Sequence, residues 1–299
     1  MSALYPNVAF SGAYTALITP FANGGVDKDA YVKLIEWQIA QGIHGLVPAG
    51  TTGESPTLSH EEHDLIVELC VKTAAGRVPV IAGAGSNNTA EAVRLSQHAE
   101  AVGADAVLIV SPYYNKPTQD GLYAHFSTIA KAISIPVIIY DIPGRSIVRV
   151  NDDTMARLAE IPNIVGVKDA IGDAARPTRL WNMIGDNFAQ LSGDDATSLP
   201  YLTGGGHGCI SVVSNIAPAA MAQMQDAFAK GNVKEAMAIN KKLMALHDGL
   251  FCEASPGPVK YAASLLGICS ADARMPIVEI SDASKKIVED ALETAGLTS

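Results

Sequence analysis

A chain of 299 residues is long for one ordinary domain but suits one barrel plus an appendage, and 48% hydrophobic against 17% charged residues provide for a sizeable core. A formal net charge of −10 with no Lys/Arg cluster argues against nucleic acid and anionic membranes as partners. No run of about 18 apolar residues and no basic leader occurs, so a soluble, cytoplasmic protein is expected.

Along the chain, short apolar runs alternate with amphipathic helical segments. The runs are Tyr14–Ile18, Gly45–Pro48, Val78–Ala82, Ala106–Val110, Val137–Tyr140, Ile164–Lys168, Ala189–Leu191 and Cys209–Val213. Their spacing of about 20 to 35 residues is the length of a strand–helix unit. Ser59-His60-Glu61-Glu62 is a capping box ahead of Leu65, Ile66 and Leu69. Thr89 and Asn151 are expected as N-caps and Pro218 in a first turn, with Gly42, Gly76 and Gly103 just past helix ends. Eight such units predict an α/β fold, a (β/α)8 TIM barrel, over residues 1–231. The competing open doubly wound sheet lacks its G-x-G-x-x-G turn after the first strand. After Gly231 the alternation stops, and Asn232–Leu246, Val259–Leu266 and Ser284–Ala295 predict a C-terminal all-helical appendage, residues 232–299. Cys70, Cys209, Cys252 and Cys269 are far apart with no C-x-x-C, and read as reduced thiols rather than a disulfide or zinc framework.

Barrel enzymes build their sites from the C-terminal ends of strands and the loops that follow. Here those ends carry Gly50-Thr51-Thr52-Gly53-Glu54-Ser55, Ser111-Pro112-Tyr113-Tyr114-Asn115, Tyr140-Asp141-Ile142-Pro143-Gly144-Arg145, Lys168 and Gly193-Asp194-Asp195. Lys168 closes a short buried strand, and a lysine is seldom buried unless paired or put to use. Lowering its free pKa of about 10.4 by burial makes a Schiff-base nucleophile. Tyr140 closes the preceding strand, so its phenol can pass protons to and from that amine. Thr51, Thr52 and Tyr114 add hydroxyls to the relay, the Thr-Thr-Gly backbone offers an anion nest, and Arg145 can hold a carboxylate bidentately. Taken singly, each of these has a plainer reading as a turn, a core tyrosine or a surface charge; it is their arrival at successive strand ends that argues for a site. His60-Glu61-Glu62-His63 lacks the H-E-x-x-H metal spacing and reads as a solvated first turn, with a small-ligand site second. Gly83-Ala84-Gly85 and the glycines around His207 are weak phosphate signals, and Met221, Met224 and Met237 read as core.

These motifs resemble the 4-hydroxy-tetrahydrodipicolinate (dihydrodipicolinate) synthase family, among the class I pyruvate-dependent aldolases that include the N-acetylneuraminate lyases. The resemblance runs from Ala16-Leu17-Ile18-Thr19-Pro20-Phe21 to the C-terminal helices, through Gly50–Ser55, Pro112–Pro117, Tyr140–Arg145, Gly166–Lys168 and Leu191–Asp195. It implies a lyase of lysine and diaminopimelate biosynthesis that joins pyruvate to L-aspartate 4-semialdehyde without metal or cofactor. In that pattern Lys168 forms the imine, and Tyr140, Thr52 and Tyr114 form the relay, Tyr114 reaching in from a partner subunit. Thr51, Thr52, Gly193 and Ile210 bind the pyruvyl part and Arg145 the semialdehyde carboxylate. The lyase branch lacks the arginine and usually has Ser-Thr at Thr51-Thr52, which favours the synthase over a sibling aldolase or deaminase acting on another 2-oxo acid or sugar acid. A dimer-of-dimers homotetramer is implied, as is inhibition by L-lysine at Ser55, Pro56, His60, His63, Asn87, Glu91 and Tyr113. Three positions depart from the pattern: Asp141 stands for the usual Asn, Asp169 for Glu, and Ser255 for Asn. A carboxylate at Asp141 is expected to raise the pKa of Tyr140 or Lys168. A catalytically silent barrel that only senses lysine is the reading from a different class; the complete relay speaks against it.

Overall fold

A computed structural model describes residue 5 and residues 7–298. The described chain folds as two compact units, one formed by its described residues up to Gly12 with Val80–Ile210, the other by Ala13–Pro79 with residues 211–298. In the first, the parallel strands Ile81–Gly83, Ala106–Val110, Val137–Asp141, Ile164–Asp169, Ala189–Ser192 and Gly208–Ser211 lie side by side in chain order. Nearly every residue of these strands is buried, which is why they read as unbroken apolar runs rather than alternating ones. Helices Thr89–Ala101, Gln119–Lys131, Asp152–Ala159, Arg176–Ile184 and Ser198–Thr203 connect them. The cap expected at Thr89 is one residue earlier, where the Asn88 side chain accepts from the Ala90 N–H. Asn has the better-placed oxygen for this role.

In the second unit, strands Gly12–Ala16 and Gly45–Val47 pair in parallel, with helices Lys28–Ala40 and His60–Ala74 after them. The capping box at Ser59 forms in full: Ser59 Oγ accepts from Glu62 N, and the Glu62 carboxylate accepts from Ser59 N. Four helices complete the unit: Pro218–Ala229, Val233–Gly249, Gly257–Leu265 and Asp282–Ala295. The last is entered through the Ser281 cap and left through Gly296 at φ +69°. Eight parallel strands alternating with helices among the described residues make the (β/α)8 barrel class, and helices alone occupy the C-terminal stretch. No helix among the described residues is long and apolar enough to cross a membrane.

Apolar runs overshoot the ladders where side chains take over the backbone partners. Strand pairing stops at Ala16, not Ile18, because the Ile18 N–H donates to the Asn215 side chain. The run expected to end at Val213 leaves the sheet at Ser211, whose hydroxyl accepts from Ser214 N and turns the chain into a 3-10 helix over Val213–Asn215.

Candidate active site

Tyr140 and Lys168 are partners in the register of neighbouring strands, each one residue from its strand's end. Successive side chains of a strand point to opposite faces, so partners in register emerge on one face. Both are buried, each 6% exposed, and the Lys168 Nζ lies 4.1 Å from the centroid of the Tyr140 ring. The amine thus lies against the ring face, and no carboxylate among the described residues pairs with it. A buried amine beside a phenol is an arrangement that can trade protons while the amine adds to a carbonyl.

Gly193 follows the next strand, and only glycine fits there. A Cβ would stand 3.1 Å from Lys168 Cε and 2.9 Å from Ala170 Cβ. It therefore borders the lysine side chain itself. Cys209, one residue before the buried Ile210, lies 3.9 Å from the Asp195 carboxylate; burial and then Asp195 push its thiol pKa well up, against the opposing charge of Lys168. The thiol stays protonated. Arg145 is exposed on the single-turn helix Pro143–Ser146, which the Ser146 hydroxyl anchors to the carbonyls of Ile142 and Val148.

Tyr114 is 92% exposed, at φ +71°, a conformation uncommon outside glycine. It contacts almost nothing in its own chain. Its loop is nevertheless held: Asn87 Nδ2 donates to the Tyr113 carbonyl (3.2 Å) and Asn115 Nδ2 to the Asn87 carbonyl (2.8 Å). Glu91, on the helix that begins at Thr89, accepts from the Ser86 hydroxyl. Asn87, Glu91 and Tyr113 thus share one edge of the first unit.

Thr51 and Thr52 belong to the second unit, in a turn with little freedom. Thr19 Oγ1 donates to the Gly53 carbonyl (2.7 Å), and a Cβ on Gly53 would stand 3.0 Å from the Leu17 carbonyl. Glu54 follows at φ +58°, buried, accepting from Lys260 Nζ (2.7 Å) and the Arg274 N–H (2.8 Å). Lys260 also donates to the Thr19 carbonyl (2.9 Å), and the Phe21 ring receives Lys260 at 4.2 Å and Arg274 at 4.3 Å. Ser55 and Pro56 continue into a 3-10 turn, and one turn of the next helix separates exposed His60 from buried His63.

Reading the sequence missed two groups. Glu54, Lys260 and Arg274 are too far apart in the chain to suggest one another. The second group is centred on Arg176. Its Nη1 donates to Asp141 (2.8 Å) and Asp169 (3.3 Å), its Nε to Asp152 (2.9 Å), and its Nη2 to the Val150 carbonyl (2.6 Å). Burial raises both Asp141 and Asp169, and Arg176 opposes the rise. Two of the three departures from the family pattern therefore meet on one guanidinium, which engages the Asp141 carboxylate away from Tyr140. Ser255 remains unexplained by any contact.

Residues 9–295 match the dihydrodipicolinate synthetase family. Over 288 residues the chain is 57% identical to the 4-hydroxy-tetrahydrodipicolinate synthase of Rhodospirillum centenum, covering 96% of this chain and 99% of that one. Among solved structures, it resembles the chloride-inhibited dihydrodipicolinate synthase of Acinetobacter baumannii complexed with pyruvate (TM-score 0.94, 43% identity, 96% and 99% of the two chains). It is equally close in fold to the enzyme of Cyanidioschyzon merolae with lysine bound (TM-score 0.94, 38% identity, 97% and 99%).

Proposed function

The chain belongs to the dihydrodipicolinate synthetase family, and from that membership we propose that it is a lyase condensing pyruvate with L-aspartate 4-semialdehyde in lysine and diaminopimelate biosynthesis. The observation that carries the reading is the buried Lys168 amine over the Tyr140 ring, at adjacent strand ends. Neutral Lys168 adds to C2 of pyruvate, and the relay of Tyr140, Thr52 and a partner subunit's copy of Tyr114 delivers the proton with which the hydroxyl leaves as water. Loss of a proton from C3 turns the imine into an enamine, whose C3 attacks the aldehyde carbon of the semialdehyde. Arg145 holds that substrate's carboxylate. Its amino group then displaces Lys168 from C2, closing the six-membered ring and freeing the enzyme. Thr51, Thr52, Gly193 and Ile210 hold the pyruvyl part.

The imine supplies the electron sink, so the reaction needs no cofactor or metal. The chemistry lies in the barrel of residues 1–231, with 232–299 as its helical appendage. The enzyme works in the cytoplasm as a homotetramer, a dimer of dimers, consistent with a Tyr114 that contacts almost nothing in its own chain. L-Lysine inhibits it at Ser55, Pro56, His60, His63, Asn87, Glu91 and Tyr113; the relative solved with lysine bound supports lysine as a ligand of this fold. The test is the initial rate of pyruvate-dependent semialdehyde consumption with chelator present, with and without lysine. Turnover that lysine depresses is expected. A protein that traps pyruvate with borohydride yet leaves the semialdehyde untouched is a different aldolase, and an unchanged rate at saturating lysine removes the regulatory site.

A further inference from the structure

Asp141 and Asp169 are register partners, one residue beyond the pair Tyr140 and Lys168. By the alternation of strand side chains, they occupy the opposite face of the same two strand ends. There the backbone ladder is running out: Ala170 N donates to the Asp141 carbonyl (2.9 Å) and Gly193 N to the Asp169 carbonyl (2.7 Å) before the loops depart. What joins the two side chains is Arg176. The loop after Lys168 is built to bring it there. Gly172 sits at φ +78°, the Asp173 side chain accepts from Ala175 N, and Arg176 opens the next helix with its side chain fully buried.

We infer that Arg176 is a positioning residue for the imine chemistry: by holding Asp141 and Asp169 on one guanidinium nitrogen it sets the register in which Tyr140 meets the Lys168 amine. The inference rests on the reading of Lys168 as the imine-forming residue. A buried ion cluster is weak evidence for stability as such, because apolar side chains of similar volume often serve as well or better. Its better-attested use is to specify one arrangement among several, and that is what two strand ends carrying two reacting groups require. The guanidinium suits the task because its planar fork reaches Asp141, Asp169, Asp152 and the Val150 carbonyl at once, which an ammonium on a lysine stem does not. The other charged or phenolic groups of the cluster are Arg179, paired with Asp152 and Asp173, Arg149 near Asp169, and Tyr201, whose hydroxyl is raised first by burial and then by Asp169.

Arg176→Lys keeps the charge and loses the fork. The rate at which pyruvate is trapped on Lys168 by borohydride is expected to fall about tenfold or more, as a misplacement of the order of 1 Å costs. The pyruvate concentration that gives half the maximal trapping rate should stay within about threefold, because the pyruvate contacts are untouched. A folded Arg176→Lys protein that forms the imine at the wild-type maximal rate, changed at most in that half-saturating concentration, overturns the inference. Should Arg176→Lys not fold, Asp169→Asn takes its place. Slower imine formation, recovered in Asp169→Glu, supports the tie, and a wild-type rate in Asp169→Asn overturns it. Wild-type protein that traps no pyruvate at all overturns the imine reading and this inference together, whereas trapping in wild type with unimpaired variants overturns this inference alone.

Discussion

If Lys168 forms the imine as proposed, Lys168→Ala removes the nucleophile without removing the ring beside it, so borohydride reduction with pyruvate should leave no adduct, read as an unchanged intact mass. Tyr140→Phe keeps the ring under the amine but deletes the phenol. Imine formation and cyclisation should both slow by about a hundredfold or more, the usual size of a lost general acid–base contribution, while a turnover number equal to wild type removes Tyr140 from the relay. Gly193→Ala acts by space, since its new methyl meets Ala170 Cβ at 2.9 Å and Lys168 Cε at 3.1 Å. Something has to shift, so pyruvate trapping should slow and stability should fall by about 1–3 kcal/mol. A rate equal to wild type means that the neighbouring loop yields instead.

At the scale of elements, Ser59→Ala breaks the full capping box of the His60–Ala74 helix and should cost about 1 kcal/mol of stability in urea titrations. Two histidines set a pH dependence. Burial lowers His125 and His207 to about 4. His125 contacts the Thr89 hydroxyl on the neighbouring helix, and His207 Nδ1 accepts from the Gln190 N–H, which requires that nitrogen to be unprotonated. Their folded pKa lies below the unfolded value, so the unfolded chain binds more protons between about pH 6.5 and 4. The stability they contribute is complete above that window and is lost as pH falls through it, at most on the order of 3 kcal/mol per histidine. His125→Asn should flatten the dependence of the urea midpoint on pH in this window. The strands themselves were legible because burial on both faces makes continuous apolar runs, and Ala106–Val110 is found as expected. Ends were less legible where a distant side chain, such as Asn215 at Ile18, replaces a strand partner.

Across the whole molecule, the C-terminal helical stretch holds the turn that carries Thr51 and Thr52. Lys260, on the Gly257–Leu265 helix, is buried against Glu54, and Arg274 adds its N–H. Lys260→Met strands a buried carboxylate in a left-handed backbone position, at a cost of roughly 3–5 kcal/mol. The double variant Glu54→Gln with Lys260→Met should recover much of this in denaturant titrations. A double variant no more stable than the single one means that Lys260 acts through packing on Phe21 and not through the charge.

The sequence by itself determined the alternation of strands and helices, the family, and which reactive side chains stand at the strand ends. Each of these rests on local chemistry: apolar runs, capping side chains, and reactive groups at motif positions. Tertiary structure alone decided which charges meet. Arg176 with Asp141 and Asp169, and Lys260 with Glu54, are pairs whose members lie 7 to 206 residues apart. A charged side chain reads as a solvated one in sequence; only when the fold withdraws it from water does it need a partner, and the backbone's path chooses which.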